Sequence, residues 1–212
     1  MYKRLPENKN LILHSEPYYN GLPVYLGRGS LVSQYLAKTL LTMQRAVDAY
    51  GRVTGIRIDL RYPDNTPLPP DAHTNDVITR FVESLNERVY NDRNGKVHDT
   101  TVRYTWCREY GTDGKPHYHF TLLFNGHAYR GLGWFESERE NLSWRIRSAW
   151  SSALRLSIEE GGPLVHFPEN LIYHIGRNPA AFSDFFFRAS YLCKVDTKRF
   201  GEGCHTFDSS RH

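Results

Sequence analysis

The chain has 212 residues, a formal net charge of +4 and a sequence pI ≈ 8.9. With 40% hydrophobic and 24% charged residues, and with 14 Tyr, 11 Phe and 4 Trp, it has the makings of a packed core, which excludes a disordered or fibrous chain. No stretch reaches the ~18 apolar residues of a membrane span, the segment Met1 to Pro6 lacks an apolar signal core, and three cysteines without framework spacing fit reduced thiols in a cytoplasm. The mild basic excess is compatible with a polyanionic partner.

Residues 1–28, punctuated by Pro6, Pro17 and Pro23, read as an irregular arm, and residues 29–212 as a single domain. Ser30 stands where a helix N-cap belongs. Val32, Leu36, Leu40, Met43, Val47 and Tyr50 follow at helical spacing, and Gly51 closes the run. Residues 54–62 alternate as a strand, with Ile56, Ile58 and Leu60 on one face and Arg57, Asp59 and Arg61 on the other. Pro63 ends it. Thr74 or Asn75 caps a second helix whose buried stripe is Val77, Ile78, Phe81, Val82, Leu85 and Val89.

Residues 100–110 form the next strand, where Val102, Tyr104 and Trp106 alternate with Arg103, Thr105, Cys107 and Glu109. The turn chemistry of residues 111–114 leads straight into residues 115–124, so these two strands pair antiparallel. The latter strand carries His117 and His119 on one face and Tyr118, Phe120, Leu122 and Phe124 on the other. Two neutral imidazoles in this arrangement can grip one ion. A pair of exposed or hydrogen-bonded histidines fits the same pattern.

Ser137 and Glu140 have capping-box spacing and open a helix running to about Ile158. Residues 164–167 and 171–175 read as short strands, and the lone His166 and His174 on them as structural or exposed. The last element, residues 182–195, is an aromatic-rich helix that places Tyr191, Lys194 and Lys198 on one face. A tyrosine among fixed cations is well placed to ionise and to meet a phosphate, although an interfacial tyrosine on a basic helix would look the same. The predicted fold is α+β: one antiparallel sheet with helices on its greasy side. The other side is an open polar face carrying Arg57, Asp59, Arg61, Arg103, Glu109, His117 and His119, and a merely solvated sheet face fits that composition too.

The combination of a His-x-His strand, an acid at Glu109 on the paired strand and a later Tyr191-x-x-Lys194 resembles the HUH endonucleases, the RRM-related rolling-circle replication initiators. The strand ending in Tyr62-Pro63 looks like the first strand of that fold. More narrowly, residues 116–124, Ala149-Trp150, residues 164–168 and residues 188–194 resemble the prophage-borne YagK/YfjJ-type family, related to an inovirus replication protein. The resemblance implies a Mg²⁺ or Mn²⁺ ion on Glu109, His117 and His119, the histidine pair favouring Mn²⁺. It implies attack by Tyr191 on a phosphodiester of single-stranded DNA at a replication origin, with a 5′-phosphotyrosine product and Lys194 assisting. Arg57, Arg61, Arg103 and Lys198 would contact the DNA. Tyr62, Tyr104, Tyr110 and Tyr118 are assigned to strand packing, so the chemistry would use a single tyrosine. The chain has no P-loop, so unwinding would fall to another protein such as a host helicase. A non-catalytic DNA-binding regulator on the same scaffold is the alternative reading, and a protein-interaction module whose basic helix binds a partner is a third.

Overall fold

The computed structural model describes residues 3–64, 66–135, 140–176 and 178–211. In chain order the strands and helices are β1 (Arg4–Leu5), β2 (Asn8–His14), β3 (Tyr18–Tyr19), β4 (Leu22–Pro23), β5 (Leu31–Val32), α1 (Ser33–Tyr50), β6 (Val53–Leu60), α2 (Asp76–Arg93), β7 (Arg103–Tyr110), β8 (Pro116–Asn125), α3 (Leu142–Leu154), α4 (Ile158–Gly161), β9 (Val165–His166), β10 (Ile172–Ile175), α5 (Pro179–Ser190) and β11 (Phe207–Ser209). Short 3₁₀ turns at Pro70–His73, Gly162–Leu164 and Tyr191–Cys193 complete the set. No described helix is long and apolar enough to cross a membrane.

The architecture is α+β, as expected. The central sheet runs β10-β6-β8-β7-β11, with β9 also paired to β6, and every pairing is antiparallel. The β7–β8 hairpin and the β6–β8 pairing form the middle of the sheet. On one face Ile56, Ile58, Leu60, Trp106, Tyr118, Phe120 and Leu122 pack under α2 and α3, around Phe81 and Trp150. That is the greasy side the strand patterns call for.

The opposite face departs from the expectation. It is only half polar. Val53, Leu123 and Cys107 lie in a second core with Leu36 and Met43 of α1, Phe185 and Phe186 of α5, and Val24, Leu31 and Val32 from the first residues. Helices therefore cover both faces, and the open floor shrinks to the end where β6 finishes and β8 begins. Alternation missed this because Thr105, Cys107, Thr121 and Leu123 look mixed as a string, yet Thr105 and Thr121 hydrogen-bond each other (2.6 Å) inside the covered part. Gly55 marks a close approach of α5 to the sheet. A Cβ there would stand 2.8–3.0 Å from the Phe185 ring. Gly55→Ala is expected to lower stability by about 1–3 kcal/mol through overpacking, read as a fall in thermal midpoint. A variant as stable as the parent would show that the α5–sheet contact is looser than this.

The first 28 residues are not an irregular arm. β1, β2 and β5 form a three-stranded sheet that runs across the boundary at residue 28, and β3 pairs with β4. Leu5 and Val24 are buried. The two-residue strands leave no periodic trace in a sequence, and the seven-residue β2 buries no residue fully, so its string shows no clean alternation. The helix starts follow the sequence pattern only in part, with Thr74 at α2 in the expected role. Ser30 precedes β5 rather than capping α1, whose N-cap position is Val32. Thr74 supplies the hydroxyl that receives the Asp76 N–H at the start of α2. The capping box expected at Ser137 lies outside the described residues; α3 is capped by Asn141, which accepts from Trp144 N–H, and a capping box does occur at Ser157 and Glu160, opening α4.

Asp92 ties α2 to α3 and to the loop after β8. It accepts from Tyr129 (2.6 Å) and Lys96 (2.8 Å) and pairs with Arg93 and Arg145. Burial alone would raise its carboxyl, but the Lys96 and Tyr129 hydrogen bonds and the two arginines outweigh it and hold it at about 2. Because the folded value lies below the unfolded one, this stabilisation is present above pH ~4 and is lost as pH falls towards ~2. Asp92→Asn is expected to cost roughly 1 kcal/mol at pH 7, after allowance for solvent screening. The gap from wild type in acid-titrated melts should close between pH 4 and pH 2; a gap that stays constant would refute the assignment.

Candidate functional site

Strand register builds the site. Glu109 of β7 lies opposite His117 of β8, and His119 lies opposite both Cys107 of β7 and Asp59 of β6. Side chains of one parity share a face, so Asp59, Glu109, His117 and His119 meet on the uncovered end of the second face. One ligand atom from each of Glu109, His117 and His119 lies within 4.8 Å of the other two, a spacing that can hold a metal ion. The three residues singled out from sequence as ligands do converge.

His119 is the most constrained member. Its Nδ1 is 2.6 Å from Asp59 and its Nε2 is 3.2 Å from Glu109. A neutral imidazole has one proton to give. Given to Asp59, it leaves an Nε2 lone pair facing a carboxylate, a contact that a cation between the two would satisfy. A histidine held by a carboxylate on one nitrogen and free to ligate through the other is a common support for a metal. His117 stands with its Nε2 4.0 Å from Glu109 and its ring at right angles to that of His119. Burial, reinforced by His119, lowers His117 to about 4, so it is a neutral donor near pH 7. The donor set of one carboxylate and two imidazoles suits a divalent transition-type ion.

Glu109 is 2% exposed and crowded. It pairs with Lys194, accepts from Lys198 at 3.2 Å and from the Thr197 hydroxyl at 2.7 Å. Burial would raise its carboxyl, but the His119 hydrogen bond and the charges of Lys198 and Lys194 hold it well below the usual carboxylate range. Asp59 is likewise held low, against burial, by His119 and by its ion pair with Arg57. Burial and Lys198 push Lys194 below the ordinary lysine value.

Tyr191 arrives from α5, but the helix stops at Ser190. Tyr191–Cys193 is a 3₁₀ turn, and Lys194 is extended, bridged to Leu31. Tyr191, Lys194 and Lys198 therefore do not share a helix face; they reach the site because the following segment crosses between β5 and β7. Val195 N–H donates to Ser30 O and Tyr110 N–H to Thr197 O. The Tyr191 ring centroid is 5.6 Å from that of His119, and Lys194 Nζ lies 4.1 Å from the Tyr191 ring centre. Burial first, then Glu109, pushes the Tyr191 phenol up to about 12, with Arg57 and Arg28 pulling the other way. The surrounding cations do not by themselves make it a phenolate.

The expected DNA contacts fall in different places. Arg57 is buried against Asp59, although it borders the cavity beside Tyr191. Lys198 is enclosed on Glu109, with no side-chain surface left for DNA. Arg61 is exposed just past β6. Arg103 stacks on Tyr50 at the other end of β7, away from the site. Tyr62, Tyr110 and Tyr118 are buried and Tyr104 is half-buried, in keeping with packing roles. His166 and His174 are exposed. Sequence reasoning passed over Asp59 as a support for His119, Thr197 as a partner of Glu109, and Tyr25. The last comes from the first 28 residues, and its ring is 5.5 Å from that of Tyr191. Asp59 had a signal, its parity with Arg57 on a polar strand face; Tyr25 had none.

A family model described as the YagK/YfjJ C-terminal domain matches residues 14–210. Among curated relatives, the Escherichia coli (strain K12) protein YagK is 36% identical over 199 residues, covering 86% of this chain and 95% of YagK. The E. coli (strain K12) protein YfjJ is 32% identical over 201 residues, covering 86% of this chain and 96% of YfjJ. Both are described as uncharacterized proteins. No solved structure matches the chain.

Proposed function

This chain belongs to the YagK/YfjJ C-terminal domain family, and on that premise we propose that it is a metal-dependent nicking-joining enzyme for single-stranded DNA, of the HUH type and of phage or mobile-element origin. The observation that carries the reading is the meeting of a possible metal triad with one tyrosine: Glu109, His117 and His119 share a corner, and the Tyr191 ring stands 5.6 Å from His119. In the reaction the Tyr191 phenol oxygen forms a bond to phosphorus and the bond from phosphorus to the 3′ oxygen breaks. The phenol proton ends, in net, on the released 3′-hydroxyl, which can prime synthesis. Glu109, His117 and His119 would hold a divalent ion, Mn²⁺ or Mg²⁺, which when bound neutralises charge developing on the phosphate. Asp59 fixes the His119 ring. Lys194, between Glu109 and the Tyr191 ring, holds positive charge beside the nucleophile.

A non-catalytic DNA-binding regulator is the second reading. Lys194 and Lys198 already neutralise Glu109, and a metal must compete with them. The two readings part on one gel. A mixed-sequence single-stranded oligonucleotide labelled at its 3′ end is incubated with the protein and Mn²⁺, then denatured. The enzyme reading expects label migrating with the protein in Mn²⁺ and not in EDTA. Binding without any covalent label supports the regulator.

A further inference from the structure

A cavity of about 320 Å³ opens directly beside Tyr191. We propose that it is a nucleobase pocket, which takes the base of one nucleotide flanking the bond that Tyr191 attacks. The inference rests on the nicking reading above and adds to it the part of the substrate that this cavity holds.

The walls are aromatic. The Tyr25 ring centroid stands 5.5 Å from that of Tyr191 and 6.0 Å from that of Phe187. Phe187 is 42% exposed, a large apolar side chain left uncovered next to a charged site. The floor is different in kind. Arg57 and Asp59, both nearly buried and paired to each other, set a guanidinium beside a carboxylate whose Oδ1 also meets His119 Nδ1, and His119 lines the cavity with them. Arg188 adds a cation at the rim, its Nη2 donating to Glu169 O at 3.3 Å. Flat apolar walls over a floor of paired donor and acceptor match a nucleobase, which has π faces to stack and a polar edge to be read. A bare phosphate would use the cations and leave the rings idle. A lipid or alkyl group would leave the Arg57–Asp59 floor unmatched.

The pocket also gives the first residues a task. Tyr25 reaches the site because its backbone N–H donates to Ser190 Oγ at 2.8 Å, pinning the segment after β4 to the last residue of α5. Ser190 Oγ in turn donates to Phe187 O at 2.7 Å. One hydroxyl thus fixes the spacing of Tyr25, Phe187 and Tyr191.

The test separates base from backbone. Fluorescence anisotropy in EDTA compares binding of a labelled thirty-nucleotide oligo-dT with that of a strand of equal length and charge made wholly of abasic sites. Stacking on an aromatic wall is worth about tenfold in affinity per base. Phe187→Ala and Tyr25→Ala are expected to weaken oligo-dT binding by about that factor and to leave the abasic strand within twofold of wild type; Tyr25→Phe, which keeps the ring, should bind both like wild type. Equal losses on both strands, or no loss on either, would overturn the pocket. Circular dichroism melts within about 2 °C of wild type show that a loss is local. The covalent-label assay stands apart from these results. Wild type that labels while Phe187→Ala binds normally keeps the enzyme and loses the pocket. Base-dependent binding without label does the reverse.

Discussion

Tyr191→Phe is expected to abolish covalent capture of single-stranded DNA, a loss of more than about 10³-fold in the rate of adduct formation, while leaving the fold intact. The substitution removes one oxygen. The ring keeps its neighbours Tyr25, His119 and Lys194, so the thermal midpoint should move by no more than about 1–2 °C. The strand tyrosines are badly placed to stand in. Tyr62 and Tyr118 are buried on the far face of the sheet, under α3, and the Tyr110 hydroxyl is bound to Glu202. Oligo-dT binding in EDTA should persist, because the phenyl ring still closes the pocket. A variant that still captures DNA would move the nucleophile elsewhere.

Glu109→Gln is expected to be the most damaging single change to the site. The amide is nearly isosteric but neutral, so Lys194 and Lys198, whose side chains are 1% and 0% exposed, lose their shared counter-charge. Removing one partner of a buried ion pair costs about 3–5 kcal/mol, or on the order of 10 °C in thermal midpoint for a domain of this size. Metal-dependent stabilisation should vanish with the carboxylate. Wild type with a bound ion should melt higher as Mn²⁺ rises above its dissociation constant, whereas Glu109→Gln should show no such rise. A double change, Glu109→Gln with Lys194→Met, separates the two effects. Removing one stranded ammonium should restore part of the stability and none of the response to Mn²⁺. If Glu109→Gln keeps the Mn²⁺ shift, the ligand set is wrong.

Much of the site was legible in the sequence because its parts lie on one hairpin. The period of two put His117 and His119 on one face, and the turn at residues 111–114 fixed Glu109 opposite His117. Asp59 needed the β6–β8 register, which pairs residues sixty positions apart and leaves no local mark. Lys194 and Tyr191 were found from their spacing, but for a reason that does not hold. The helix ends at Ser190, and it is the crossing segment, clamped by Ser30 and Tyr110, that carries Lys194, Thr197 and Lys198 to Glu109. Two-residue strands, and a β2 with no fully buried residue to mark a face, hid the structure of the first 28 residues. Burial of Arg57 and Lys198 was hidden for a related reason: a charged residue reads as exposed until its partner is known.

Tyr191 and the Glu109–His117–His119 corner are proposed to form one reaction centre. The most direct measurement is the mass of the peptide between Arg188 and Lys194 after incubation with single-stranded DNA and Mn²⁺, denaturation, nuclease digestion and trypsin. That peptide, Ala189-Ser190-Tyr191-Leu192-Cys193-Lys194, contains a single tyrosine. It should carry a 5′-phosphonucleotide on Tyr191 in Mn²⁺ and be unmodified in EDTA. An adduct on any other residue, or no adduct from DNA that the protein binds, would contradict that proposal.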